Sequence, residues 1–143
     1  MIRLAFFIHF NRTWVGGINV ILNLINLLNI KRKETKSKIK IIIFTNSKKE
    51  LKKYSINKNI EIIQDITLFN QNIVLRIIDK IFLVFFNKTI FLEKFLLKNK
   101  IDIISHTNII SGINSCSKSI IWIPDFQYLH FPKLFFLKYK IFK

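Results

Sequence analysis

Five short apolar runs, set apart by longer and more polar stretches, constrain this chain more than any other feature. They lie at Ile2–Ile8, Ile39–Phe44, Ile60–Ile63, Ile101–Ser105 and Ser119–Ile123. Most are rich in β-branched Ile and read as continuous rather than alternating, the pattern of strands covered on both faces of a parallel sheet. Parallel strands need long crossovers, usually helical. Gly17–Ile30 supplies one: Asn19, Asn23 and Asn26 recur at helical spacing, while Ile18, Ile21, Leu22, Ile25 and Leu28 form a wide apolar face. Gln71–Lys100 is long enough for one long helix or two shorter ones, with Ile77, Ile81 and Phe85 on one stripe. Lys31–Lys40 and Asn46–Asn59 are polar and lysine-rich, and read as solvated connections or short surface helices. The expectation is an α/β fold with a Rossmann-like, doubly wound parallel sheet, forming a single domain over residues 1–143.

Composition narrows the function classes. Half the 143 residues are apolar and only 3 are Gly and 2 Pro, which excludes global disorder. The net charge of +16 comes from 24 basic against 8 acidic residues. The basic set is 20 lysines and only 4 arginines, a skew typical of A- and T-rich codons rather than of a surface selected to grip phosphate. The charge therefore supports an anionic ligand or membrane surface mildly and nucleic acid weakly. A single cysteine, Cys116, forbids an internal disulfide and fits a reducing cytoplasm. Met1–Phe10, with one Arg, a short apolar run and no small-residue cleavage site, does not read as a targeting segment. The oily stretch Ile73–Leu97 is broken by Arg76, Asp79, Lys80, Asn87, Lys88 and Glu93, so it does not read as a spanning helix of about 20 apolar residues.

In an open parallel sheet, ligands bind beyond the carboxyl ends of the strands, so the residues after each run matter most. Gly16-Gly17 stands between the first run and the first helix. Consecutive glycines allow positive φ and close backbone approach, and the helix N-terminus that follows attracts a phosphate or carboxylate. A tight turn with no ligand has the same spacing. The pattern is not G-x-G-x-x-G, which disfavours a nicotinamide or flavin dinucleotide. His106 follows the fourth run in Asp102-Ile-Ile-Ser-His106; a structural histidine is the alternative, and His9 ends the first run in a way that would face the same crevice. The richest stretch is Trp122-Ile-Pro-Asp-Phe-Gln-Tyr-Leu-His-Phe-Pro132. Pro124 and Pro132 bound a shaped loop that carries Asp125, Gln127 and His130, suited to hydrogen-bonding a polar ligand, with Tyr128 and Phe131 suited to stack on it. A loop whose aromatics cap the core is the alternative there.

Taken in order, Trp14-Val-Gly-Gly17, Asp102-Ile-Ile-Ser-His106 and Trp122-Ile-Pro-Asp-Phe-Gln-Tyr-Leu-His-Phe-Pro132 resemble the N-terminal half of retaining glycosyltransferases of the GT-B fold, the group called family 4 or glycosyl transferases group 1. The resemblance runs along the whole chain and is most specific in the last block. It implies transfer of a sugar from a nucleotide-sugar donor to a cell-surface polysaccharide or lipid-linked acceptor, with no resident cofactor and no metal. It implies donor-phosphate contacts from Gly16 and Gly17, catalytic roles for Asp125 and His106, and acceptor contacts from Trp14, Gln127 and His130. The family's strand-end His-Asp pair is replaced here by Pro124-Asp125. The family's C-terminal donor-binding domain, with its Glu-x7-Glu element, has no counterpart before Lys143. Alone, the chain is thus expected to bind donor weakly and catalyse little. A cytoplasmic place, peripheral at the inner membrane face, goes with a lipid-linked acceptor.

A competing reading is a non-catalytic basic protein that binds an anionic membrane surface or polyanion. It rests on the +16 charge and on Leu134-Phe135-Phe136-Leu137 flanked by Lys133 and Lys138. Nucleic acid is the least favoured partner, since the strands read as buried on both faces and the lysines lie in connections.

Overall fold

The computed structural model describes residues 1–10, 15–70, 72–107 and 111–122. Five strands, β1 (Ile2–Ile8), β2 (Ile39–Thr45), β3 (Glu61–Gln64), β4 (Ile103–Thr107) and β5 (Lys118–Ile121), form one sheet in the order β3-β2-β1-β4-β5. Every pairing is parallel. Among the described residues five helices accompany them: α1 (Val15–Glu34), α2 (Lys48–Leu51), α3 (Ile66–Phe69), α4 (Ile73–Phe86) and α5 (Phe91–Lys98). The α/β class and the Rossmann-like parallel sheet expected from the apolar runs are those observed.

The central strands bury both faces, which is why their sequences do not alternate. Leu4, Phe6 and Ile8 of β1 join Ile41 and Ile43 of β2 beneath Ile18, Ile21, Leu22 and Ile25 of α1. On the opposite face Ala5, Phe7, Ile42 and Phe44 pack with Ile104 of β4 and with Leu92 and Leu96 of α5. Phe44 anchors the second core, its ring 5.4 Å from that of Phe7 and 4.7 Å from that of Phe95. The last turn of α1 carries Lys31, Arg32 and Lys33, which suit the negative end of the helix dipole. Arg32 also donates to the carbonyls of Ile39 (2.8 Å) and Asn59 (3.4 Å), tying the helix end to the start of β2.

At the amino edge of the sheet, Asp102 accepts from Arg3 N–H at 2.7 Å and its own N–H donates to Arg3 O at 3.0 Å. The Arg3 side chain donates to Asn99 O at 3.0 Å. Asp102 thus fastens β4 to β1, and its place in Asp102-Ile-Ile-Ser-His106 is structural.

Two expectations need correction, and the stripe on α4 acquires a direction. The fifth strand is exposed at all four residues, and among the described residues it pairs with β4 alone at the edge of the sheet. The stripe Ile77, Ile81 and Phe85 is present, and it faces solvent. The residue that α4 buries is Asp79, whose carboxylate accepts from the N–H groups of Ile90 (2.8 Å) and Phe91 (3.0 Å) at the start of α5. That tie fixes the rotation of α4 and turns the stripe outward. The glycine pair, expected as a turn before the helix, lies inside the first turn of α1.

Candidate functional site

The order β3-β2-β1-β4-β5 runs outward from β1 through β2 to β3, then returns to the other side of β1 for β4. That reversal falls between β1 and β4, and the region beyond their carboxyl ends is where open α/β sheets bind ligands. The structure brings two of the sequence-singled elements to this edge: Gly16 and Gly17 at the start of α1, and His106 near the end of β4.

Gly16 is exposed, and a methyl group on it would meet no atom within 4 Å. Packing therefore does not demand glycine there, although glycine in a helix costs about 1 kcal/mol relative to alanine. No acidic side chain occupies the first turn of α1, so the positive end of a 20-residue helix is not compensated by its own sequence. Open space over a bare backbone at a helix N-terminus suits an anionic group.

His106 is held differently. Its φ is +52°, and the β4–β5 register breaks between Ser105 and Thr107. The other described non-glycine residues with positive φ are Lys36, Asn87 and Lys100. Those three follow the last turns of α1, α4 and α5, where a left-handed residue is an ordinary helix ending. His106 adopts it within a strand, at a cost of order 1–3 kcal/mol. Burial pushes its pKa below the usual 6.5, so the imidazole is neutral at neutral pH. The Ser105 hydroxyl, itself buried, lies 2.6 Å from Nδ1. If Ser105 donates, Nε2 carries the proton and is a donor; if Ser105 accepts, Nε2 is a free base. Either way the ring is oriented and Nε2 is the atom left for chemistry. The ring sits 6.2 Å from Phe6 and 6.3 Å from Trp122, both in the core beneath α1, so His106 and α1 share a face.

His9 does not join it. Its ring stacks on Phe69 at 5.3 Å, and Phe69 packs with the core on the other face of the sheet. Side chains alternate along a strand, and the two histidines come out on opposite sides.

Two contributors were missed by sequence reasoning. Asn46, directly after β2, accepts from Phe10 N–H at 2.9 Å and donates to Phe10 O at 3.2 Å, fixing the chain as it leaves β1. Asn46 belongs to a stretch whose composition reads as a solvated connection, though its place directly after a strand is a usable signal. Ser105 looked like ordinary strand sequence, and only the bulge beside it reveals its partner. Trp14, Asp125, Gln127 and His130 lie outside the described residues. Among the described residues, no group of three or more His, Cys, Asp or Glu side chains is arranged to hold a metal ion.

No family model, curated protein or solved structure matches the chain.

Proposed function

We propose that this chain is a sugar-transferring domain of the GT-B type, which receives the diphosphate of a nucleotide-sugar at the start of α1 and works on an acceptor beside His106. The observation that carries the reading is Gly16, where a helix keeps a glycine that packing does not require and leaves space for an anion. His106 supplies the second half: a neutral, oriented imidazole on the same face and the same edge of the sheet. Its Nε2 is fitted to hold an acceptor hydroxyl or take its proton. In this reading Gly16 and Gly17 contact donor phosphate, and the acceptor is a saccharide, polymeric or lipid-linked. Asp125, Gln127, His130 and Trp14 enter through the sequence resemblance.

The test is an amide NMR titration of the full chain with UDP, GDP, ADP and pyrophosphate. Saturable shifts centred on Gly16, Gly17 and Ile18, weakened at least severalfold by Gly16→Ala in a folded protein, are expected. Amides at the start of α1 that stay still with all four compounds, up to millimolar concentrations, would sink the phosphate site.

A further inference from the structure

The surface feature left unexplained is α4. At 3.6 residues per turn, Ile73, Val74, Ile77, Ile81, Val84 and Phe85 share an outward arc of about 120°. All six are exposed, Ile73 at 69% and Val84 and Phe85 each at 75%. Water-facing positions on a helix of a soluble domain are ordinarily polar, and contiguous apolar patches mark contact sites. The charges around this one have a single sign. Arg76 and Lys80 are exposed along one border of the arc, and Lys88 is exposed just beyond the helix end. The helix's one acidic residue, Asp79, is turned inward and hydrogen-bonded to the start of α5.

From this arrangement we propose that α4 is an interfacial helix that lies on an anionic lipid bilayer, its Ile77/Phe85 face among the acyl chains and Arg76, Lys80 and Lys88 at the phosphate level. An apolar arc bordered by basic residues and free of exposed acids is complementary to that surface and to few protein surfaces. The length agrees. Fourteen residues span about 21 Å, short of the roughly 30 Å hydrocarbon core, and among the described residues no helix is long and apolar enough to cross a membrane. Docking requires no rearrangement, because the Asp79 tie already holds the arc outward. Nothing in it uses Gly16, Gly17 or His106, so it stands or falls apart from sugar transfer.

Sedimentation of the full chain with phosphatidylcholine vesicles, with and without phosphatidylglycerol, tests it. The wild type should bind the anionic vesicles and lose affinity as salt rises. Ile77→Asp/Phe85→Asp should weaken binding by about tenfold or more. Arg76→Ala/Lys80→Ala should weaken it by about tenfold on anionic vesicles and steepen no salt dependence. Phe85→Trp, which keeps the face apolar, should show a blue-shifted emission with vesicles that wild type lacks. Wild type left in the supernatant, or Phe85→Trp emission unmoved by vesicles, would overturn the docking. So would loss of binding in Leu134→Asp/Phe135→Asp while the α4 variant binds normally, which assigns the contact to the C-terminal segment. A wild-type dimer that Ile77→Asp/Phe85→Asp splits, with vesicle binding unaltered, would give the face to a second copy and overturn it equally.

Discussion

Asp79 on α4 accepts a 2.8 Å hydrogen bond from the backbone N–H of Ile90, and so caps a helix to which it does not belong. The N-cap of α5 is Ile90 itself, which offers no side-chain acceptor. Its free N–H groups are satisfied instead by a carboxylate brought from 11 residues upstream, near the positive end of the α5 dipole. The same contact orients both helices.

Asp79→Ala should therefore cost about 1–2 kcal/mol, the range of a lost cap with buried donors left unmatched. Urea unfolding followed by circular dichroism checks this. A loss within error of zero would mean that water replaces the carboxylate without penalty.

The two described glycines with defined surroundings should respond with opposite signs. Gly16→Ala places a methyl group in open space within a helix, and should stabilise the fold by about 0.5–1 kcal/mol. Gly112→Ala combines φ +90° with a Cβ only 2.1 Å from Asn87 O. It should destabilise by more than about 2 kcal/mol and disturb the end of α4, where Asn114 donates to Phe86 O and Asn87 O. Thermal unfolding of both variants separates the cases.

For His106 the pH dependence has a definite direction. Burial lowers its pKa from 6.5 in the folded state. Above that value neither state is charged there, and the residue adds no slope. Below it the unfolded chain binds a proton that the folded site resists, so stability falls as pH falls, until the depressed folded-state pKa is passed. His106→Asn, which tolerates positive φ, should flatten this part of the profile. Parallel profiles for wild type and variant would show that His106 titrates as it does in the unfolded chain.

Cys116 is exposed yet should alkylate slowly at neutral pH. Burial of the thiol raises its pKa above 9.0, and the Glu93 carboxylate beside it adds to the rise. Burial would raise the pKa of Glu93 as well, but hydrogen bonds from the Ser115 hydroxyl and Cys116 N–H hold it below the usual 4.5. Glu93 thus stays charged. Glu93→Gln should speed reaction with iodoacetamide by a few fold, and an unchanged rate would remove the carboxylate from the account.

Much of this architecture was legible from residue order. Ile2–Ile8 matches β1 at both ends, because a short, largely apolar run rich in Ile and Phe suits a strand covered on two sides. The fourth strand starts two residues later than expected, since Ile101 and Asp102 make the turn after α5 and the bond to β1. The first helix starts earlier than Gly17, because glycine is tolerated in a helix and its usual role in turns misleads. Periodicity found the stripe on α4 but cannot say which way a stripe points; a single buried carboxylate decided that. At the site, the place of His106 followed from its position at the end of an apolar run. Its left-handed backbone and its Ser105 partner depend on a register break with β5, which no local pattern encodes.

The bond between Arg3 and Asp102 joins residues 99 positions apart. Synthesis at about 5–20 residues per second puts roughly 5–20 s between the emergence of β1 and that of its second neighbour. During that interval β2 can cover one side of β1, while the other side remains an open, strongly apolar edge on the nascent chain. The ribosome-bound stage is thus when this protein is most exposed to misassociation, and when a chaperone holding the edge of β1 would matter most to its yield.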